Sequence, residues 1–257
     1  MRTIGIIPAR MGSSRFPGKP LATLHGVPML GHVYFRSRLS RRLAATYIAT
    51  CDEAICRYAT EIGAECVMTS PSHVRASDRT AEAACAIEAL SGIPIDTVVM
   101  IQGDEPMLRP EMLDEALEPL DRDPCVQVVN LMAPIDVDAA ADVNEVKVVV
   151  SRNGNALYFS RHPLPWHRGP GVHDLFKQVC VIPFRRDFLA TFAALESTAL
   201  ERAESIDMLR ALEHGYDVRM VRTAHRTSSV DTPEDLARVE SLMRGDPLLA
   251  VYGVPAT

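Results

Sequence analysis

Short runs rich in Val, Ile and Met alternate with longer stretches of helical period along the chain. Continuous apolar runs of this kind mark strands buried on both faces, and the 3.6-residue period marks amphipathic helices. Strands are expected at 3–8, 46–50, 64–68, 96–102, 126–133, 146–150, 178–184 and 217–223. Helices are expected at 28–39, 52–62, 80–91, 110–120, 185–194, 202–214 and 233–244. Strand–helix alternation predicts an α/β fold with a mostly parallel, Rossmann-like sheet covered by helices on both faces. Gly63, Gly92 and Gly215 supply stops where a helix must end in a left-handed residue. Thr232-Pro233-Glu234-Asp235 opens the last helix with a capping Thr, Pro at the first position and acids in the first turn.

The pattern weakens between about 134 and 178. Segment 162–173, HPLPWHRGPGVH, has no usable period and reads as a long loop over the carboxyl edge of the sheet, in the class that includes active-site lids. One domain over 1–245 is expected, followed by a loosely docked extension, 246–257.

Composition narrows the partners. The 257 residues include 27 Lys+Arg and 33 Asp+Glu, a formal charge of −6. That balance argues against general nucleic-acid binding, which needs a basic face, while leaving room for a local basic pocket. High apolar content and modest charge exclude disorder as the main state. No apolar run approaches the roughly 18–20 residues of a membrane helix. The start, MRTIGIIP, reads as a buried strand rather than a signal peptide. Cys51, Cys56, Cys66, Cys85, Cys125 and Cys180 form no C-x-x-C pair and read as buried free thiols of a cytoplasmic protein.

Three segments offer chemistry. The first strand runs into Ala9-Arg10-Met11-Gly12-Ser13-Ser14-Arg15-Phe16-Pro17-Gly18-Lys19-Pro20. A small-residue loop with three cations past a strand's carboxyl end is where an open α/β sheet places ligands, and its amides, Arg and Lys suit a polyphosphate. It is not a P-loop, because Gly12 and Gly18 enclose five residues and Pro20 follows Lys19. Second, an apolar strand runs into Gln102-Gly103-Asp104-Glu105-Pro106. Gly103 would let the backbone approach a ligand, and the Asp104 carboxylate at the sheet edge could hold Mg²⁺ or cap the following turn. Third, Asp231 precedes a helix, a plain helix start unless it converges with Asp104 on one ion. The D-x-D triplets at 121–123 and 136–138 do not follow an expected strand end directly. No zinc spacing and no nucleophile elbow is present.

Together IPARMGSSRFPGKPL, TSPSHVRASDRTAEA, IQGDEP, NEVKVVVSRNGNALYFSR and SVDTPEDLARVE resemble, in order over about residues 3–242, the cytidylyltransferases that make CMP-activated 3-deoxy-manno-octulosonate (Kdo). The resemblance implies a nucleotidyltransferase domain with a dimerisation and acceptor subregion over about 134–200, and a homodimer. It implies transfer of CMP from CTP to an acidic acceptor with release of pyrophosphate and with Mg²⁺. By that resemblance Ala9, Arg10, Ser13 and Lys19 bind the CTP phosphates, and Asp104 and Asp231 hold the metal. Arg10, Lys19, Asp104 and Asp231 form the catalytic set. Ser77, Arg79 and Gln102 line the nucleotide and acceptor pockets. Arg15, Arg75, Arg161, Gln178, Ile182 and Asp207 join Arg79 and Gln102 on the acceptor side.

Departures from the family pattern cluster on that side. H-x-S-G-T-D-R is here His73-Val74-Arg75-Ala76-Ser77-Asp78-Arg79, and the His and Tyr of R-H-I-G-I-Y-x-Y-R are Gln178 and Ile182. A Glu of the helical segment is Asp207. Because pockets built for substrate hydroxyls discriminate strongly, another ulosonic acid or a small phosphonate is an alternative acceptor. A D-x-D glycosyltransferase and an inactive nucleotide-binding homologue are the other readings.

Overall fold

β1 (Thr3–Ala9) is buried at every position, as a strand covered on both faces must be. The computed structural model describes residues 2–13, 15–166 and 174–253. The chain forms two compact units, Met1–Asp114 with Arg226–Thr257, and Glu115–His225.

In the first unit β1 is followed by a small hairpin, β2 (Thr23–Leu24) with β3 (Val27–Pro28), then α1 (Met29–Ser37), β4 (Ala45–Thr50), α2 (Glu53–Glu61), β5 (Glu65–Met68), α3 (Ala76–Ser91) and β6 (Thr97–Ile101). The strands run in the order β6-β1-β4-β5, and every pairing is parallel. The carboxyl ends of β1, β4 and β6 therefore share one edge. Gly63 and Gly92 take positive φ where α2 and α3 stop, as expected. α3 begins four residues ahead of the expected start, because no helix breaker separates Ala76 from Thr80. Ser77 and Arg79 thus lie in its first turn, both buried.

After α4 (Pro110–Arg122), the second unit carries β7 (Val129–Ile135), β8 (Lys147–Val150), β9 (Ala156–Ser160), β10 (Leu175–Val179), β11 (Val181–Arg185), α5 (Arg186–Ala194), α6 (Ala199–Glu204), α7 (Met208–Glu213) and β12 (Arg219–Arg222). Its sheet has the order β12-β7-β10-β8-β9, with only the β12–β7 pair parallel. The parallel expectation therefore holds in the first unit and stops there. The expected strand at 178–184 is two strands that part at Cys180, which an unbroken apolar run conceals. β9 was hidden in the stretch without period; its turn is marked by Asn153-Gly154, with Gly154 at φ 79°. The expected helix 202–214 is α6 and α7, divided at Ser205 in the left-handed region. α6 starts at 199, where the Glu201 carboxylate reaches back to accept from the Thr198 N–H at 3.3 Å.

The chain returns to the first unit with α8 (Pro233–Met243) and α9 (Pro247–Val251). The segment after Gly245 is not loosely docked. The fully buried Arg36 guanidinium holds Asp246 at 2.8 Å and donates to the Tyr252 hydroxyl at 3.0 Å. Leu249 packs with Leu24, Met29, Val230, Val239 and Met243. Residues 254–257 lie outside the described residues, as do 167–173 of the expected lid. The cysteines also depart from expectation: Cys85 and Cys125 are exposed and the other four only partly buried. Among the described residues no helix is long and apolar enough to cross a membrane.

Candidate active site

Three segments of the first unit meet at Lys19. The loop leaving β1 is closed by the Gly18 N–H, which donates to the Met11 carbonyl at 3.0 Å, with Gly18 at φ 77°. A side chain at that φ would be strained, so the glycine is required by the turn. A single 3-10 turn over Lys19–Leu21 follows, and it aims the Lys19 ammonium inward. Arg10 stays exposed on the loop, and the Ser13 hydroxyl accepts from the Phe16 N–H at 3.2 Å.

β6, buried at all five positions, delivers Gln102, Gly103 and Asp104 to its carboxyl end. A Cβ on Gly103 would lie 3.4 Å from the Pro8 carbonyl and from Leu30, at ordinary contact distance, so packing against β1 does not by itself demand a glycine here. Asp104 does not cap a turn through its side chain as one reading allowed. Its carboxylate accepts from Lys19 Nζ at 2.8 Å.

The third segment precedes α8. The Val230 N–H donates to the Asp104 carbonyl at 3.0 Å, and the buried Glu105 carboxylate accepts from Thr227. Thr232 caps α8 reciprocally with Asp235, so the helix start needs nothing from the Asp231 side chain. Asp231 is therefore available to Lys19 at 3.2 Å and to Arg15 at 2.9 Å. The two acids, separated by about half the chain, converge on one ammonium. Burial alone would lower the Lys19 pKa; Asp104 and then Asp231 outweigh it and hold the group above its ordinary value.

One contributor escaped the sequence reading. Asp52, just past β4, accepts from the Met11 N–H at 2.8 Å and so fixes the start of the loop. The signal was available, since Thr50-Cys51-Asp52 is a strand end followed by an acid, as at Asp104. Arg79, expected to line the pocket, reaches back from α3 to the Thr69 hydroxyl and to Cys51 Sγ at 3.5 Å. Ser77 is buried beside it, Ala9 is buried at the loop's root, and Gln102 is half-buried. Arg75 stands at the N-cap of α3 in extended conformation.

The other acceptor-side candidates belong to the second unit. Arg161 Nε donates to the Glu204 carbonyl at 2.7 Å, and its Nη1 to the Val143 carbonyl at 2.9 Å. Gln178 donates to Asn130 Oδ1 at 2.6 Å. Ile182 is 2% exposed, a core side chain. Asp207 stands at the N-cap of α7 without capping it through its side chain. The triplet Asp136-Val137-Asp138 does follow a strand directly, because β7 extends to Ile135, but Asp136 accepts from the Ala139 N–H and caps a turn.

A family model described as cytidylyltransferase matches residues 4–223. The chain belongs to the cytidylyltransferase family. The 3-deoxy-manno-octulosonate cytidylyltransferase of Syntrophotalea carbinolica is 41% identical over 95% of this chain and 100% of its own length. That of Geobacter sulfurreducens is 42% identical over 93% of this chain and 98% of its own. Among solved structures, a CMP:2-keto-3-deoxy-manno-octonic acid synthetase complexed with CTP superposes with a TM-score of 0.85 at 35% identity, covering 95% of this chain and 98% of that one. A cytidylyltransferase from Leptospira borgpetersenii, at 17% identity and a TM-score of 0.63, shares the fold. As a cytidylyltransferase the protein is a nucleotidyltransferase, and the D-x-D glycosyltransferase reading falls away.

Proposed function

We propose that this cytidylyltransferase transfers CMP from CTP to Kdo, with Mg²⁺ held by Asp104 and Asp231, and releases pyrophosphate. The observation that carries the metal and phosphate assignment is the convergence of both carboxylates on Lys19 beneath the cationic loop. Two hard oxygen donors suit Mg²⁺, whose remaining positions phosphate oxygens and waters would fill. Bound there, Mg²⁺ supplies charge neutralisation for the triphosphate and makes an acceptor hydroxyl easier to deprotonate.

The chain's own residues do the rest. Arg10 and Lys19 stabilise charge that grows on the departing pyrophosphate, while Ala9, Ser13 and the loop backbone hold the phosphates. Asp52 keeps that loop in place from behind. The acceptor oxygen attacks the α-phosphorus in line, its bond to phosphorus forming as the bond to the bridging oxygen of pyrophosphate breaks. Orientation and charge stabilisation suffice, so no covalent enzyme nucleophile is required.

A second acceptor, another ulosonic acid or a small phosphonate, is favoured by one observation. At the two positions where the family pattern has His and Tyr, the Gln178 amide donates to Asn130 and Ile182 is buried. Asp104→Asn tests the main reading. It should lower CTP-dependent pyrophosphate release at least 100-fold, the scale of losing one major electrostatic stabiliser, with the circular-dichroism spectrum unchanged. Near-normal turnover would remove Asp104 from the metal assignment.

A further inference from the structure

The Lys19 ammonium has three N–H donors, and all three are used: Asp104 Oδ2 at 2.8 Å, Asp231 Oδ1 at 3.2 Å and the Val230 carbonyl at 2.7 Å. None is left for a phosphate. The lysine side chain is 13% exposed and the two acids 23% and 16%, so this is a partly desolvated charge cluster rather than a surface pair. Arg15 adds a second cation on Asp231 at 2.9 Å. Among the described residues no group of three or more His, Cys, Asp or Glu gathers as a metal site. The protein therefore offers a divalent ion at most two carboxylates here, both already neutralised by cations.

We propose that Lys19 is a resident counter-ion that occupies the cation position between Asp104 and Asp231 in the free protein, so that the divalent ion enters only with the nucleotide. The inference rests on the reading of these two acids as metal ligands. A bare divalent ion would have to displace an ammonium at 2.8 Å from one carboxylate and gain few ligands in return. A metal–CTP complex brings phosphate oxygens as the missing ligands and gives Lys19 a new anionic partner, so both displaced bonds are replaced at once. The same lysine that neutralises the two acids at rest then neutralises the leaving group. Nucleotide and metal binding become coupled, and by thermodynamic reciprocity each raises affinity for the other equally.

The test measures Mn²⁺ binding by electron paramagnetic resonance, using wild type, Lys19→Met and Lys19→Met/Asp104→Asn. Mn²⁺ alone should bind wild type at least tenfold more weakly than in the presence of a CTP analogue with a methylene bridge between the α- and β-phosphorus. Lys19→Met should bind Mn²⁺ alone at least tenfold more tightly than wild type, and the added Asp104→Asn should abolish that gain. Mn²⁺ should raise the melting temperature of Lys19→Met and leave wild type unmoved. Wild type that binds Mn²⁺ equally well with and without the analogue would overturn the proposal, even if the lysine variant does not fold. Asp104→Asn and Asp231→Asn in otherwise wild-type protein separate the two levels: Mn²⁺–analogue binding that survives both changes shows that these acids are not the ligands, and the underlying reading fails with it.

Discussion

Lys19 donates to carboxylates 85 and 212 residues further along the chain. Each was a separate sequence signal: a cation after a small-residue loop, an acid after an apolar strand, an acid before a helix. Their types and local positions were legible, because each sits at the end of a strand or the start of a helix with a recognisable pattern. Their convergence was not, since no local rule fixes which loops share an edge. The Asp231 carboxylate was also ambiguous between cap and ligand, and the structure takes away the need for the cap, since Thr232 and Asp235 satisfy the helix start between them. The acceptor side was legible only as departures from a pattern. The structure gives Gln178 and Ile182 packing roles that the sequence did not distinguish from substrate contacts.

Among the elements, α9 shows how a short segment is held. A five-residue helix has almost no intrinsic stability, so its order comes from tertiary contacts. Asp246 caps it through the Leu248 N–H at 3.0 Å and pairs with Arg36, with Arg109 nearby at 3.8 Å. The tail DPLLAVYGVPAT read as a loose extension although it is mostly apolar with one charge, because its partner, the buried Arg36 in α1, was read only as part of a helix. Asp246→Ala should destabilise the first unit by about 3 kcal/mol, because it leaves a buried guanidinium unpaired. Urea unfolding checks this, and a change under about 1 kcal/mol would mean that the pair does not hold the tail. The antiparallel second sheet was missed for a related reason. Its strands are short, and their pairing is set by partners distant in sequence rather than by periodicity.

For the whole molecule, acid sensitivity follows from groups held away from their ordinary ionisation. Burial lowers the His32 pKa from 6.5 to about 4, against smaller opposing contributions, so the ring stays neutral between Tyr252 and the Leu24 carbonyl. With a folded pKa below the unfolded one, the stability this contributes is complete above pH 6.5 and is lost as pH falls toward 4. His32→Gln should therefore lose less stability than wild type over that window, as read from melting temperatures across pH. Equal losses would show that His32 does not titrate as described. Below that range the paired carboxylates take over. Burial works against Glu201 and Asp246, but Arg210 and Arg36 together with backbone N–H groups hold both below the usual carboxylate range. Protonation then removes their stabilising charge as pH falls further.

The whole-molecule claim is the transfer of CMP from CTP to a specific acid. It is tested most directly by pyrophosphate release from purified protein with CTP and Mg²⁺ against Kdo, other ulosonic acids and small phosphonates. Kdo is expected to turn over with the highest kcat/KM of the panel, and omitting Mg²⁺ is expected to abolish release. Release with another acid at concentrations where Kdo is inert would contradict the acceptor assignment and place Arg75, Gln178, Ile182 and Asp207 at the centre of a changed specificity.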